Sequence, residues 1–426
     1  MIKAKRLNFL ILPVLYFFLC TVFSYLVISG KYGIWEYVIL SVLLFVLGGL
    51  ISFWVKRSKK NVPLILIFAL LSRLVFLFAP PALSGDVYRY LWEGKVCLAG
   101  QNPFDTPPSS PKLKYLRDKN WEKVEHKNIP TIYPPLSQFV FLISAYISSY
   151  TGNQLAVLKA LFFLFELGII CILYLMYINR SGIKFVLLYA FHPLSVLEIS
   201  LNAHVDVVMI FFLVMAIYFK KNKFSELGIM CIILGALSKI IVLMLLPFFV
   251  EKNKTSMIFL FSGVLLFSVS FLPFYSEAML TGLSTFTKIW AFNSPVYKLA
   301  SYFTDADAAR IILLGLFSLG YFYILLFYKE EDYIKKFIIL LCLFFILSPV
   351  LHPWYLLTLL VLLSFRFNFP VYVLTLSIFA SYEIYSRWIS AGIWQEKSYI
   401  LITVWLPFYA SLGYLLLKKK ILKRVS

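Results

Sequence analysis

The sequence is poor in charge, poorer still in acidic groups, and nearly bare of cysteine. Of its 426 residues 14% are charged, and the 40 Lys and Arg outnumber the 20 Asp and Glu. A soluble domain carries about 25% charged and ~45–50% apolar residues; here 61% are hydrophobic and 19% aromatic. That shortage excludes an ordinary water-soluble globular domain, and no stretch between the apolar runs is long enough to form one. The five cysteines, Cys20, Cys97, Cys171, Cys231 and Cys342, show neither a pairing pattern nor metal-ligand spacing. The net charge of +20 does not mark a nucleic-acid binder. The Lys and Arg sit in short clusters between apolar runs rather than on one basic face, as in the cytoplasmic loops of a membrane protein.

What is present is a series of apolar runs of about 15–23 residues, many able to cross a ~30 Å hydrocarbon core as a helix. Basic clusters lie at Lys3–Arg6, Lys56–Lys60, Arg180–Lys184, Lys220–Lys223, Lys252–Lys254, Lys335–Lys336 and Lys418–Arg424. Placing all of them in the cytoplasm fixes the threading. The reading is an all-α polytopic membrane protein, one domain over residues 1–426, with about 12–14 transmembrane helices. The expected spans include 336–350, 353–366 and 370–388. The first, 7–28, follows Lys3, Lys5 and Arg6 without a clear small-residue cleavage site and is expected to be an uncleaved anchor.

The run 134–150 is different. Carrying it across the membrane would put the Lys220 and Lys252 clusters outside, so it is expected to be an interfacial helix of the first large outer loop, 81–154. It opens with Tyr133-Pro134-Pro135, and prolines suit a first helical turn. The second outer loop, 275–307, carries apolar residues at helical spacing and is expected to hold another interfacial helix. The stretch 225–250 is expected to break near Lys239. This threading gathers the polar segments at one face of the membrane.

Four of those segments could carry chemistry. In the first, Ser84-Gly85-Asp86-Val87-Tyr88-Arg89-Tyr90-Leu91-Trp92-Glu93, a helix beginning near Asp86 puts Asp86, Tyr90 and Glu93 on one face with Arg89 and Trp92 nearby. Sugar transfer needs such a set: a base for a hydroxyl, a cation for a phosphate and flat rings for a pyranose. The second holds Glu198, Asn202, His204 and Asp206 at a helix turn, where buried ionisable groups must face a cavity or a partner. The third is His352-Pro353-Trp354-Tyr355, with His352 beside a helix N-terminus that favours anions. The fourth, in 275–307, holds Phe286, Trp290, Phe292, Asn293 and Tyr297. Plainer roles stay open: Ser84, Asp86 or Asn202 as helix caps, Trp and Tyr as interface anchors. Among ionisable residues inside spans, Lys159 and Glu166 are expected to pair across two turns, Arg73 to be structural, and Lys239 to reach a buried phosphate.

Taken in order, Gly85–Lys95 with Asn102-Pro103-Phe104, Tyr133-Pro134-Pro135-Leu136, Asn202-Ala-His204-Val-Asp206, Trp290-Ala-Phe292-Asn293 and His352-Pro353-Trp354-Tyr355 resemble the GT-C superfamily of membrane glycosyltransferases, especially bacterial polyprenol-phosphate-mannose-dependent mannosyltransferases. The resemblance implies a polyprenyl-phosphate-hexose donor, mannose favoured, a glycan or lipid acceptor, and a site outside the cytoplasm at the cell membrane. It also implies that Asp86 is the catalytic acid of the first outer loop, acting as general base in an inverting transfer. The residues expected to bind donor or acceptor are Tyr88, Arg89, Trp92, Glu93, Asn102, Tyr133, Asn202, His204, Asp206, Lys239, Trp290, Asn293, His352, Trp354 and Tyr355. Some members of the family carry Asp-x-Asp at the catalytic position; this chain has Asp86-Val-Tyr, so no metal or other cofactor is expected. The rival readings are a multi-pass transporter or flippase, which should show internal repeats, and a non-catalytic envelope scaffold.

Overall fold

The computed structural model describes residues 10–55, 61–178 and 182–425. The Lys3–Arg6 and Lys56–Lys60 clusters, Arg180 and the basic side chains beyond Lys418 lie outside the described residues. The fold is helical throughout, and a single parallel bridge between Phe292 and Val350 is the only extended pairing among the described residues. Among the described residues six helices are long and apolar enough to cross a membrane: Ile11–Ile28, Ile34–Ser52, Gln154–Tyr177, Lys254–Phe274, Ala306–Leu326 and Ser398–Lys418. Ile183–Ala190 and Leu194–Leu201 are together apolar enough but meet at 45°, as a broken span or a re-entrant loop does. Val62–Leu74, Ser225–Ala236 and Pro353–Leu363 are shorter apolar helices. The chain is therefore a multi-pass membrane protein. Helix starts are set by polar residues at the turns: Asn153, Asn253, Asp305, Asp332 and Asn368 each accept a backbone N–H of the first turn.

Several expected spans are interrupted. Pro193 lacks an N–H, and the Leu194–Leu201 segment after it winds as a π-helix that carries Glu198 into the core. The stretch 225–250 does break at Lys239, which is extended (φ −151°, ψ 116°) before the 3-10 segment Ile240–Phe248. The expected span 370–388 is not one helix. Phe369–Ser377 gives way to a 3-10 turn, Ile378–Glu383, and then to Ile384–Ala391. Backbone of this kind is tolerated at membrane depth where protein surrounds it or a cavity lies beside it.

The two long loops, 81–154 and 275–307, both contain helices. Asp86–Leu98 and Pro135–Thr151 are helices, and the second begins with Pro135 in its first turn. Its Val140, Phe141, Ser144 and Ala145 face inward, while Phe139, Tyr146 and Tyr150 are exposed. The two helices pack so closely that a Cβ at Gly94 would lie 2.3 Å from the Phe141 carbonyl oxygen. The loop 275–307 forms two helices, Thr281–Ile289 and Pro295–Phe303. It sits directly on the first loop, since a Cβ at Gly282 would meet the Thr131 oxygen at 2.4 Å.

Ionisable residues inside the bundle are paired, but not as the spacing suggested. Lys159 and Glu166 do not meet, because seven residues along a helix is about 10 Å. Lys159 donates instead to the carbonyls of Phe76 and Ala79 (2.9 and 2.6 Å). Glu166 accepts from Arg73 at 2.7 Å, and Arg73 also donates to the Ala69 and Ala190 carbonyls and to the Ser195 hydroxyl. Both members of that pair are fully buried. Removing one charge strands the other, so Arg73→Met alone should cost about 3–5 kcal/mol. The double variant Arg73→Met/Glu166→Leu should recover most of that loss. Thermal unfolding in detergent reads both, and a double variant no better than the single would show that the pair is not the cause.

Candidate active site

The site is built on three helix breaks and one helix start. Asp86 is the first residue of its helix, in the turn whose backbone N–H groups lack i−4 partners. Opposite it, the π-helix ends at Asn202, and Ala203 (φ 59°) turns the chain so that His204 points back into the core and Asp206 begins the next helix. Lys239 enters from the break at its position, and His352-Pro353-Trp354-Tyr355 from the break after Leu347.

These residues surround a cavity of about 120 Å³ lined by Asp86, Arg89, Tyr90, Tyr133, Asp206, Lys239, Trp290, His352, Trp354 and Tyr355, among others. Asp86 is the carboxylate with room beside it, its side chain 32% exposed. His204 is fully buried beneath it, Nδ1 3.7 Å from Asp86 Oδ2 and Nε2 3.4 Å from Glu198 Oε2, neither contact having hydrogen-bond geometry. Its ring is stacked on Trp354 (centroids 3.9 Å), and His352 stacks on the other side of the same indole (4.4 Å). Glu198 is held by the hydroxyls of Tyr37 (3.0 Å) and Tyr382 (2.7 Å) and by the Asn202 amide (3.1 Å). Lys239 donates to Asp206 at 2.5 Å and lies over the Tyr355 ring at 4.2 Å.

A second, larger hollow of about 400 Å³ shares Asp206, Lys239, Phe286, Trp290 and Tyr355 with the first. Elsewhere its walls are mostly apolar, with Leu283, Leu313, Leu314, Phe317, Phe344 and Phe345 among them. Arg310 also lines it, with its Nε buried and without a hydrogen-bond partner. The polar cavity thus opens into an apolar groove beside a membrane-crossing helix, Ala306–Leu326, and cations stand at the junction and along the wall.

Nine of the expected site residues line the cavity: Asp86, Arg89, Tyr133, Asp206, Lys239, Trp290, His352, Trp354 and Tyr355. Seven do not, and each has another task. Trp92 packs with Val96, Leu113 and Val124, and half-buried Tyr88 packs against that cluster and under Lys123. Glu93 is a buried hub that accepts from Arg89 (2.5 Å), Thr131 (2.7 Å) and Gln138 (2.6 Å). Asn102 donates to the Phe274 carbonyl, joining the loop 81–154 to the start of the loop 275–307. Asn202 does not cap the next helix; its Oδ1 accepts from Ala82 and Leu83. His204 acts from behind Asp86. Asn293 (φ 54°) is buried and donates to the Leu351 carbonyl beside the Phe292–Val350 bridge. Arg89 reaches the cavity, but its guanidinium is already bonded to Glu93, the Ile129 carbonyl and the His126 carbonyl.

The structure adds Glu125, His126, Tyr385, Trp394 and Arg310, none of which the sequence reading singled out. Glu125 and His126 stand in a run of charged loop residues with no periodicity to mark them. Tyr385 falls within the expected span 370–388, and it follows the 3-10 turn that interrupts that span.

The comparisons with known proteins bear on what this arrangement does. The family model described as Alpha-(1->6)-mannopyranosyltransferase, N-terminal domain, matches residues 25–288, more than half of the chain. The chain belongs to that family. It is a glycosyltransferase of mannosyl-transferring kind, which favours the enzymatic reading over a transporter. No curated protein and no solved structure matches the chain.

The electrostatics suit proton acceptance at residue 86. Burial raises the Asp86 carboxyl above the ordinary carboxylate range, opposed by His204 and Lys239 and reinforced by Asp206. Burial pushes His352 down to about 3, so it is a neutral hydrogen-bonding group rather than a cation. A base must be ionised to act, so transfer should fail as pH drops through the raised Asp86 value. Lys239→Met removes a charge that lowers that value and should move the acid limb of kcat/KM to higher pH. A limb unmoved in Lys239→Met would show that another group controls it.

Proposed function

We propose that this mannosyltransferase takes mannose from a polyprenyl-phosphate donor and delivers it, with inversion, to a hydroxyl of a glycan or lipid acceptor on the extracytoplasmic face of the cell membrane. The observation that carries the reading is the junction of the two hollows. An ionisable base with room beside it lies next to an apolar groove long in hydrocarbon contacts, and Lys239 stands where they meet. A nucleotide-sugar donor would gain nothing from such a groove; a prenyl chain fits its chemistry.

In this reading the prenyl chain lies in the groove with its phosphate between Lys239 and Arg310, and the sugar sits in the cavity against the rings of Tyr133, Trp290 and Trp354. The acceptor oxygen attacks the anomeric carbon while the bond to the phosphate oxygen breaks. The proton of the acceptor hydroxyl goes to Asp86, and the departing electron pair stays on the phosphate. Charge builds on that phosphate through an oxocarbenium-like transition state, and fixed cations favour it more strongly there than in the ground state. Phosphate leaves as an anion, so no general acid is needed. His204 and Glu198 orient Asp86 from behind. Lys239 supplies the positive charge, and the step is written without a metal. The outward placement rests on the basic clusters, which the same threading puts on the opposite side.

Incubating membranes that contain the protein with labelled polyprenyl-phosphate-mannose should give labelled glycan. Asp86→Asn should insert normally and lose about 10²–10⁴-fold in rate, the usual worth of a positioned base. Full transfer by that variant would remove Asp86 from the chemistry. Chelation with EDTA should leave the rate unchanged; loss restored by a divalent cation would overturn the metal-free mechanism.

A further inference from the structure

A further cleft adjoins the cavity. About 200 Å³ in volume, it shares Glu125, His126, Trp290 and Trp394 with the Asp86 cavity and adds Ile289, Ala291 and Trp388. Trp394 meets Trp290 edge to face (5.4 Å, 86°) and meets Trp388 the same way (5.8 Å, 83°). Three indoles, Ile289 and Ala291 thus give the cleft a mostly apolar wall, with Glu125 and His126 as its ionisable groups. The indole N–H of Trp394 is shielded from solvent and has no hydrogen-bond partner, a costly arrangement for a bare donor. Glu125 stands at the inner end: a Cβ at Gly85 would lie 2.9 Å from its Oε1, beside Asp86. Its carboxyl is pushed up to about 7 by burial and by the Asp86 charge, so both its donor and its acceptor forms are populated near neutrality.

The walls are cross-linked. Glu396 accepts from the Asn293 backbone N–H at 2.9 Å, tying the segment after Trp394 to the loop of Trp290. Trp405 donates to the Asn293 carbonyl, and Lys397 pairs with Glu383. The cleft forms where these segments meet the loop of Glu125 and His126.

We propose that the Trp290–Trp388–Trp394 cleft is a carbohydrate subsite that holds the sugar unit of the acceptor next to the one being extended. This rests on reading the Asp86 cavity as the transfer site, and it makes the acceptor a glycan chain rather than a simple lipid alcohol. The chemistry chooses the occupant. A hexopyranose offers an apolar C–H face to an indole and hydroxyls to an N–H and a carboxyl, whereas a prenyl chain has no use for the polar groups. The Glu125 carboxyl at the inner end disfavours an anionic ligand, so the unit held there is a neutral sugar.

The test uses the full-length protein in lipid nanodiscs, with mannose and α-(1→6)-linked mannotriose as probes in both binding titrations and transfer assays. The wild type should bind and use the trisaccharide about tenfold better than the monosaccharide, the worth of one good aromatic anchor. In Trp388→Ala that ratio should fall to near one, and Trp388→Phe should keep much of it. A ratio measured within each protein is insensitive to partial loss of folded material. An unchanged ratio in Trp388→Ala, or no preference for the trisaccharide in the wild type, overturns the subsite. Asp86→Asn should bind the trisaccharide like the wild type while its transfer rate falls about 10²–10⁴-fold. Full transfer by Asp86→Asn would defeat the catalytic reading and leave the binding result standing, so the two failures are separable.

Discussion

One buried carboxylate, Glu198, organises the site. It lies in the core with three hydrogen-bond donors on it, from Tyr37, Tyr382 and Asn202, which belong to an early helix, a late 3-10 turn and the end of its own π-segment. A charge at that depth is tolerable only when surrounded by such partners. Meeting the need draws distant parts of the chain to one point. The same carboxylate faces His204, which faces Asp86. The arrangement around Glu198 therefore also places His204 between that carboxylate and the group proposed to take the proton.

The active-site residues arrive on irregular backbone, while the supporting bundle is regular. The π-segment, the extended Lys239, the turn at Ala203 and the break before Pro353 each interrupt a helix at the depth where polar side chains must point inward. Each interruption frees backbone groups that lipid could not satisfy, so the interruptions collect where protein or cavity surrounds them. The loops 81–154 and 275–307 complete the enclosure. They are held by Glu93, by the Asn102 contact to Phe274 and by the close approach at Gly282.

The sequence was most informative where composition and periodicity do the work. Apolar runs gave the membrane fold, and the prolines at 134 and 135 marked the start of a real helix. Polar motifs between the runs yielded Asp86, Asp206, Lys239 and the His352–Tyr355 segment as neighbours in space. Pattern failed where a side chain's direction depends on a tertiary neighbour. Trp92 and Glu93 share a helix with Asp86 but turn into the loop's own packing. Lys159 and Glu166 share a helix face yet find nearer partners. Trp394 and Glu125 lie in short polar stretches without periodicity, and only loop docking reveals them. Hydropathy likewise does not register a 3-10 turn such as Ile378–Glu383 within an apolar run, so 370–388 reads from sequence as one helix.

The groove between Phe286, Phe317 and Phe344 has a kinetic consequence. Its apolar wall belongs to a membrane-crossing helix, with Leu314 65% exposed. A substrate entering this way is delivered by lateral diffusion within a sheet of lipid, and bulk molarity has no bearing on how often it arrives. Saturation then depends on its mole fraction among the surrounding lipids. Diluting the bilayer with inert lipid would slow the enzyme even though the total amount of every reactant in the tube stayed the same.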